Sequence, residues 1–159
     1  MISPSQIYAY AAAGCEIVRV SVPTKKAAEA FPEICARSPI PVVADIHFDY
    51  RLAVEAIRQG ADKIRINPGN LGGREALEAV VSEARRHRIP IRVGVNGGSM
   101  ERDLLDRLGV CAESLAQSAL RNAALLEALD FGDIVLSMKA SSVPMTYQAY
   151  RLVSERSEY

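Results

Sequence analysis

Four cations and one carboxylate stand at matched places along this chain. Arg19, Arg65 and Arg92 lie inside runs rich in β-branched residues, VRVSV, KIRIN and IRVGVN, and Lys139 ends a fourth run, IVLSMK. Asp45 lies in a fifth, VVADIH, two residues before His47. Side chains alternate between faces along a strand. That parity puts Arg19 with Ser21, Asp45 with His47, and Arg65 with Asn67. It likewise groups Arg92, Gly94 and Asn96, and Ser137, Lys139 and Ser141. The opposite parity is apolar throughout, for example Val18, Val20 and Val22, or Ile91, Val93 and Val95. The polar face therefore carries four cations against Asp45 alone, in a protein whose Lys+Arg and Asp+Glu counts are both 19. Like charges crowded in a low-dielectric cleft repel, so the pattern implies an anionic ligand. Arginine forks suit phosphate and diphosphate oxygens, and the amides of Asn67 and Asn96 can add donors. Two glycine-rich turns, NPGNLGG from Asn67 and NGGS from Asn96, offer backbone N–H groups of the kind that cradle phosphate.

Each residue taken singly has a plainer role. A lone strand arginine commonly makes an ion pair, and a lone histidine such as His47 commonly makes a structural hydrogen bond. Four basic residues on matched faces are not accounted for in that way. His87 sits in a run RRHR at a helix end, where it complements the helix dipole on a solvated surface. Cys15, Cys35 and Cys111 are odd in number, widely spaced and without a CxxC pair, which reads as free buried thiols and no metal site. There is no Walker A motif, no GxGxxG fingerprint and no metal-ligand spacing.

The elements that must position these residues alternate. Helices are expected from Ser3, whose Gln6 completes a capping box, and over Lys25–Arg37, Tyr50–Gln59, Arg74–His87, Met100–Leu108, Ala112–Leu129 and Thr146–Ser157. Strands fall between them at Glu16–Val22, Pro41–Ile46, Lys63–Asn67, Pro90–Asn96 and Asp133–Lys139. Five strands, each followed by a helix, make a parallel α/β fold, and ligands of such folds sit at the C-terminal ends of the strands. An internal echo favours a barrel over an open sheet. GCEIVR (Gly14–Arg19) parallels GADKIR (Gly60–Arg65), and PVVADIH (Pro41–His47) parallels PIRVGVN (Pro90–Asn96), so alternate strands resemble each other. The expected fold is one α/β domain over residues 1–159, a partial TIM-type (β/α) barrel of about five parallel strands with helices outside. The neutral charge balance and scattered tyrosines argue against nucleic acid, and no apolar run suits a membrane span or a signal peptide, so a cytoplasmic protein is expected.

At these same residues the chain resembles a known family. VRVSVPT (Val18–Thr24), VADIHFDYRLA (Val43–Ala53), RINPGNLG (Arg65–Gly72), IPIRVGVNGGSME (Ile89–Glu101) and SMKASSV (Ser137–Val143) are similar, in order and spacing, to 4-hydroxy-3-methylbut-2-enyl diphosphate synthase. The resemblance implies an oxidoreductase of the methylerythritol phosphate route to isoprenoids. It reductively opens 2-C-methyl-D-erythritol 2,4-cyclodiphosphate, using a [4Fe–4S] cluster fed by flavodoxin or ferredoxin. It implies that Arg19, Asp45, His47, Arg65, Asn67, Arg92, Asn96 and Lys139 line the substrate site, with the cluster in a separate C-terminal domain. Measured against that family the chain is expected to lack the first strand, the last two strands and the iron–sulfur domain. It should then bind no cluster itself and be inactive alone. The alternatives are a non-catalytic partial barrel that binds a phosphorylated ligand or none, and a different phosphate-handling barrel of the pteroate synthase type. Unpaired outer strand edges are expected to favour poor solubility or a homodimer.

Overall fold

A computed structural model describes residues 3–159. The helices begin where side chains can satisfy their free N–H groups. Ser3 and Gln6 form the expected capping box on α1 (Pro4–Ala12), and Thr24 accepts from Ala27 N–H to open α2 (Lys25–Arg37). Asp49 caps α3 (Tyr50–Arg58), which buries Leu52, Ala53, Ala56 and Ile57 as one stripe. Further on come α4 (Arg74–His87), α5 (Arg102–Leu108), α6 (Ala112–Glu127) and α7 (Val143–Arg156). The last helix starts three residues before the sequence expectation. Ser142 is its N-cap, accepting from Met145 N–H, and Pro144 suits the first turn because its missing N–H is one that a helix start leaves unpaired anyway.

The strands are β1 (Val18–Ser21), β2 (Val42–Asp45), β3 (Lys63–Ile66), β4 (Ile91–Asn96) and β5 (Ile134–Lys139). They form one parallel sheet in the order β1-β2-β3-β4-β5. Sequential parallel order with every crossover helical is a run of consecutive βα units, the expected barrel segment. The apolar parity is buried against the helices in all five strands: Val18, Val20, Val42, Ala44, Ile64, Ile66, Ile91, Val93, Val95, Ile134, Leu136 and Met138 all belong to the core. Each fully buried Ile or Leu here contributes about 1.5–3 kcal/mol by leaving water, which is what fixes the polar parity on the other face. A one-residue slip of any strand would exchange the two faces.

Two details bear on the edges. The amide of Met138 donates to Tyr150 Oη (3.2 Å) and the amide of Ala140 to Thr146 Oγ1 (3.2 Å), so α7 partly covers the outer edge of β5. At the opposite edge Ile17, just before β1, is 53% exposed. Among the described residues no helix is long and apolar enough to cross a membrane.

Candidate anion site on the inner face of the sheet

Strand register turns the separate parity assignments into rows. Ser21, Asp45, Arg65 and Arg92 are successive partners across β1, β2, β3 and β4. One step toward the strand C-termini Gly94 faces Ser137, and one step further Asn96 faces Lys139. One step the other way Arg19 faces Val43, and Val43 faces Lys63. The expected cations therefore share one concave face with Asp45.

Asp45 is the hub. Its Oδ1 accepts from Arg65 Nη1 at 3.3 Å and its Oδ2 lies 3.4 Å from Arg19 Nε. The carboxylate is buried, Arg65 is mostly covered and Arg19 is half exposed. A buried carboxylate needs paired charge, and two guanidinium groups on different strands supply it. Asp45 uses one oxygen for each, which leaves most of both arginine forks unspent. Arg92 donates from Nη2 to Ser137 Oγ (2.9 Å), and its Nε is buried with no partner.

The two asparagines behave alike. Gly69 N–H donates to Asn67 Oδ1 (3.2 Å) and Gly98 N–H donates to Asn96 Oδ1 (2.9 Å). With each amide oxygen held by its own turn, each NH2 remains as a donor. Asn67 is buried and opens a 3₁₀ turn over Pro68–Asn70. The chain then reaches α4 through Gly72 (φ +96°) and Gly73 (φ +107°), a left-handed pair that residues with a Cβ rarely adopt. Lys139 is exposed and borders a cavity of about 630 Å³ together with Asn96, Gly97, Gly98, Ser141 and Ser142, at the N-terminus of α7. His47 follows β2, is half-buried, and lies 6.2 Å from the Phe48 ring, centroid to centroid.

Two readings of the sequence need amendment. Lys63 opens β3 and shares the inner face with Arg65, lining a recess with Arg19, Val43 and Arg92. The strand residues of this face thus carry five cations against one carboxylate. Parity alone points to Lys63, which lies two residues before Arg65 on the same face. His87 is not merely a solvated helix-end cation. Its Nε2 lies 3.1 Å from Glu83 Oε1, and Glu83, buried between α3 and α4, also accepts two bonds from Arg58 (3.1 Å each). Those partners, Arg58 above all, hold the Glu83 carboxyl below its usual range.

The thiols lie elsewhere. Cys35, near the end of α2, has its pKa pushed up to about 11 by burial, with Asp62 adding to it. Cys111 caps α6 through Ser114, whose hydrogen bonds draw its pKa down, and Cys15 donates to Ile17 O. Among the described residues no three His, Cys, Asp or Glu side chains gather as metal ligands.

A parallel βα-barrel segment with a cationic inner face defines the class. The chain matches the GcpE TIM-barrel domain over residues 2–159 and belongs to that family. It is 52% identical over 155 residues to a 4-hydroxy-3-methylbut-2-en-1-yl diphosphate synthase (flavodoxin) of Ruminiclostridium cellulolyticum, covering 97% of this chain and 44% of the relative. The corresponding protein of Idiomarina loihiensis is 53% identical over 153 residues, covering 96% and 41%. The chain thus spans under half the length of these relatives. Among solved structures the dihydropteroate synthase of Yersinia pestis superposes with a TM-score of 0.68 at 14% identity, over 95% of this chain and 60% of that one, which shows a shared fold.

Proposed function

We propose that this chain is the substrate-binding barrel part of a 4-hydroxy-3-methylbut-2-en-1-yl diphosphate synthase, and that its inner face grips the diphosphate of 2-C-methyl-D-erythritol 2,4-cyclodiphosphate. The observation that carries this reading is the row Asp45–Arg65–Arg92 with Arg19 beside it: guanidinium groups from three strands, two held by the Asp45 carboxylate and the third by Ser137, with donors to spare. Arg19, Arg65 and Arg92 bind phosphate oxygens by charge-assisted forks, and Lys139 adds a point charge beside the N-terminus of α7. Asn67 and Asn96 direct amide donors at the same ligand, and His47 stands at the rim after β2. Asp45 keeps the forks open in the absence of ligand, so little reorganisation accompanies binding.

The chemistry this face performs is binding and orientation. Ring opening by two-electron reduction with loss of water belongs to the complete enzyme, where a [4Fe–4S] cluster fed by flavodoxin, or ferredoxin, supplies the electrons. The ligands of that cluster lie outside this chain, so the chain alone is inactive, and the whole protein works in the cytoplasm. Support comes from the relatives, whose names specify the product and flavodoxin.

The test is a chimera in which residues 2–159 replace the matched segment of the R. cellulolyticum protein. Assayed anaerobically with reduced flavodoxin, the chimera should turn over the cyclic diphosphate. A folded, cluster-loaded chimera without turnover, beside an active parent, would overturn the proposal.

A further inference from the structure

Gly94 occupies the inner face of β4, one two-residue step beyond Arg92, the register partner of Arg65. Its φ lies outside the left-handed region, so the backbone accepts any L residue there. Glycine in mid-strand is otherwise a poor choice, having no side chain to pack and the most conformational freedom to lose. Space is the explanation. A Cβ built on Gly94 would overlap the Nε, Cζ and Nη2 atoms of Arg65, well inside contact distance, and all three are side-chain atoms. The Arg65 side chain thus crosses from β3 and lies flat over the bare backbone of β4, while its Nη1 reaches the opposite way to Asp45.

We infer that Gly94 is a positioning residue: it forms a trough that seats the Arg65 guanidinium and fixes the direction in which its free donors face. Asp45 alone cannot set that direction, because one 3.3 Å contact to a single nitrogen leaves the plane of the fork free to rotate. The trough supplies the second constraint. Arg65 is held by charge on one side and by shape on the other. A methyl group at Gly94 lifts the fork away from Asp45 and turns it out of the row. The atoms it meets are the far end of a flexible chain, so they move aside and the fold survives. This inference deepens the diphosphate reading of the site and rests on it for the ligand, though not for the trough.

The experiment is a four-protein cycle: the parent chain, Gly94→Ala, Arg65→Ala and the double variant. Each is measured for its thermal midpoint and for its affinity for inorganic diphosphate by titration calorimetry. Gly94→Ala should lower the midpoint of the parent, because the Arg65–Asp45 contact is lost. In the Arg65→Ala background it should raise the midpoint, because only the intrinsic preference for alanine in a strand remains. Affinity should fall about tenfold in the parent background, the loss expected for one charge-assisted hydrogen bond, and stay unchanged in the Arg65→Ala background. An equal effect of Gly94→Ala in both backgrounds would overturn the inference, as would a double variant that fails to fold while Arg65→Ala folds. If Gly94→Ala alone fails to fold and the double variant folds, the collision with Arg65 is confirmed. If the parent binds no diphosphate, the functional reading of the site falls, and the sign of the midpoint change still decides the role of Gly94.

Discussion

Arg65→Ala is the perturbation for which the structure allows a magnitude. Arg65 spends one nitrogen on Asp45 and keeps the remainder of its fork, so truncation removes at least one charge-assisted hydrogen bond to a bound diphosphate. Such a bond is worth about 1.5–3 kcal/mol net, which corresponds to a loss of roughly one to two powers of ten in affinity. A second effect has the same sign. Asp45 is buried and is left with Arg19 as its remaining ion-pair partner, so the face becomes less positive where the ligand sits. Arg65→Lys should recover part of the loss, since an ammonium restores charge without the planar fork. The control is Arg37→Ala in the last turn of the outer helix α2, at the far end of that helix from the C-terminus of β1, which removes the same unit of charge from an exposed position. Titration calorimetry with inorganic diphosphate, with circular dichroism to check folding, separates the variants. The reasoning fails if folded Arg65→Ala binds as well as the parent. It also fails if Arg37→Ala loses as much, because binding would then follow net charge and not the inner face.

Three further outcomes follow from other parts of the molecule. Glu83, Asp103 and Glu113 are held below their usual pKa by Arg58, Arg121 and Arg156 respectively, so their contribution to stability is complete above the ordinary carboxylate range and disappears as pH falls through and below it. The thermal midpoint should therefore drop on acidification below about pH 4.5, and Glu83→Gln, which loses the Arg58 fork, should flatten that drop. Ile64→Ala, at a fully buried position in β3, should cost about 2–5 kcal/mol in a denaturant titration, because the crowded layer under α3 and α4 cannot collapse to fill the gap. Self-association, the expectation attached to open strand edges, should run through β1, since α7 already occupies two amides at the β5 end; Ile17→Lys should then shift the chain toward monomer in sedimentation velocity, whereas Val143→Lys, on the β5 side, should not.

Much of this was legible in the sequence because period-two alternation is a strict geometric rule. Val18, Val20, Ile64, Ile66, Val93 and Val95 are buried as parity demands, and Arg19, Arg65 and Arg92 fall on the opposite face. The helix starts at Ser3 and Thr24 were legible because capping needs one side-chain oxygen at one position. What was not legible depends on register between strands. Only register shows that Asp45 lies level with Arg65 and within reach of Arg19, or that Arg65 crosses β4 at Gly94. Lys63 lies on the same face by parity, and only register shows that it lines a recess with Arg19 and Arg92. The bond from His87 to Glu83 was not legible, because Glu83, one turn back, is held in place by Arg58 from another helix. The helix α7 starts at Val143, with Ser142 as its cap, before the expected Thr146, because Pro144 fits the first helical turn, where its missing N–H costs no hydrogen bond.

The central claim is that the inner face, at the C-terminal ends of the strands, receives the diphosphate. Amide and arginine side-chain chemical shifts followed by NMR during titration with 2-C-methyl-D-erythritol 2,4-cyclodiphosphate test it most directly. The account predicts saturable shifts at Arg19, Arg65, Arg92, the Asn67–Gly73 turn, the Asn96–Ser99 turn and Lys139–Ser142, with the outer faces of α3 and α4 silent. Shifts confined to those outer helices, or none at ligand concentrations that saturate a full-length relative, would contradict it.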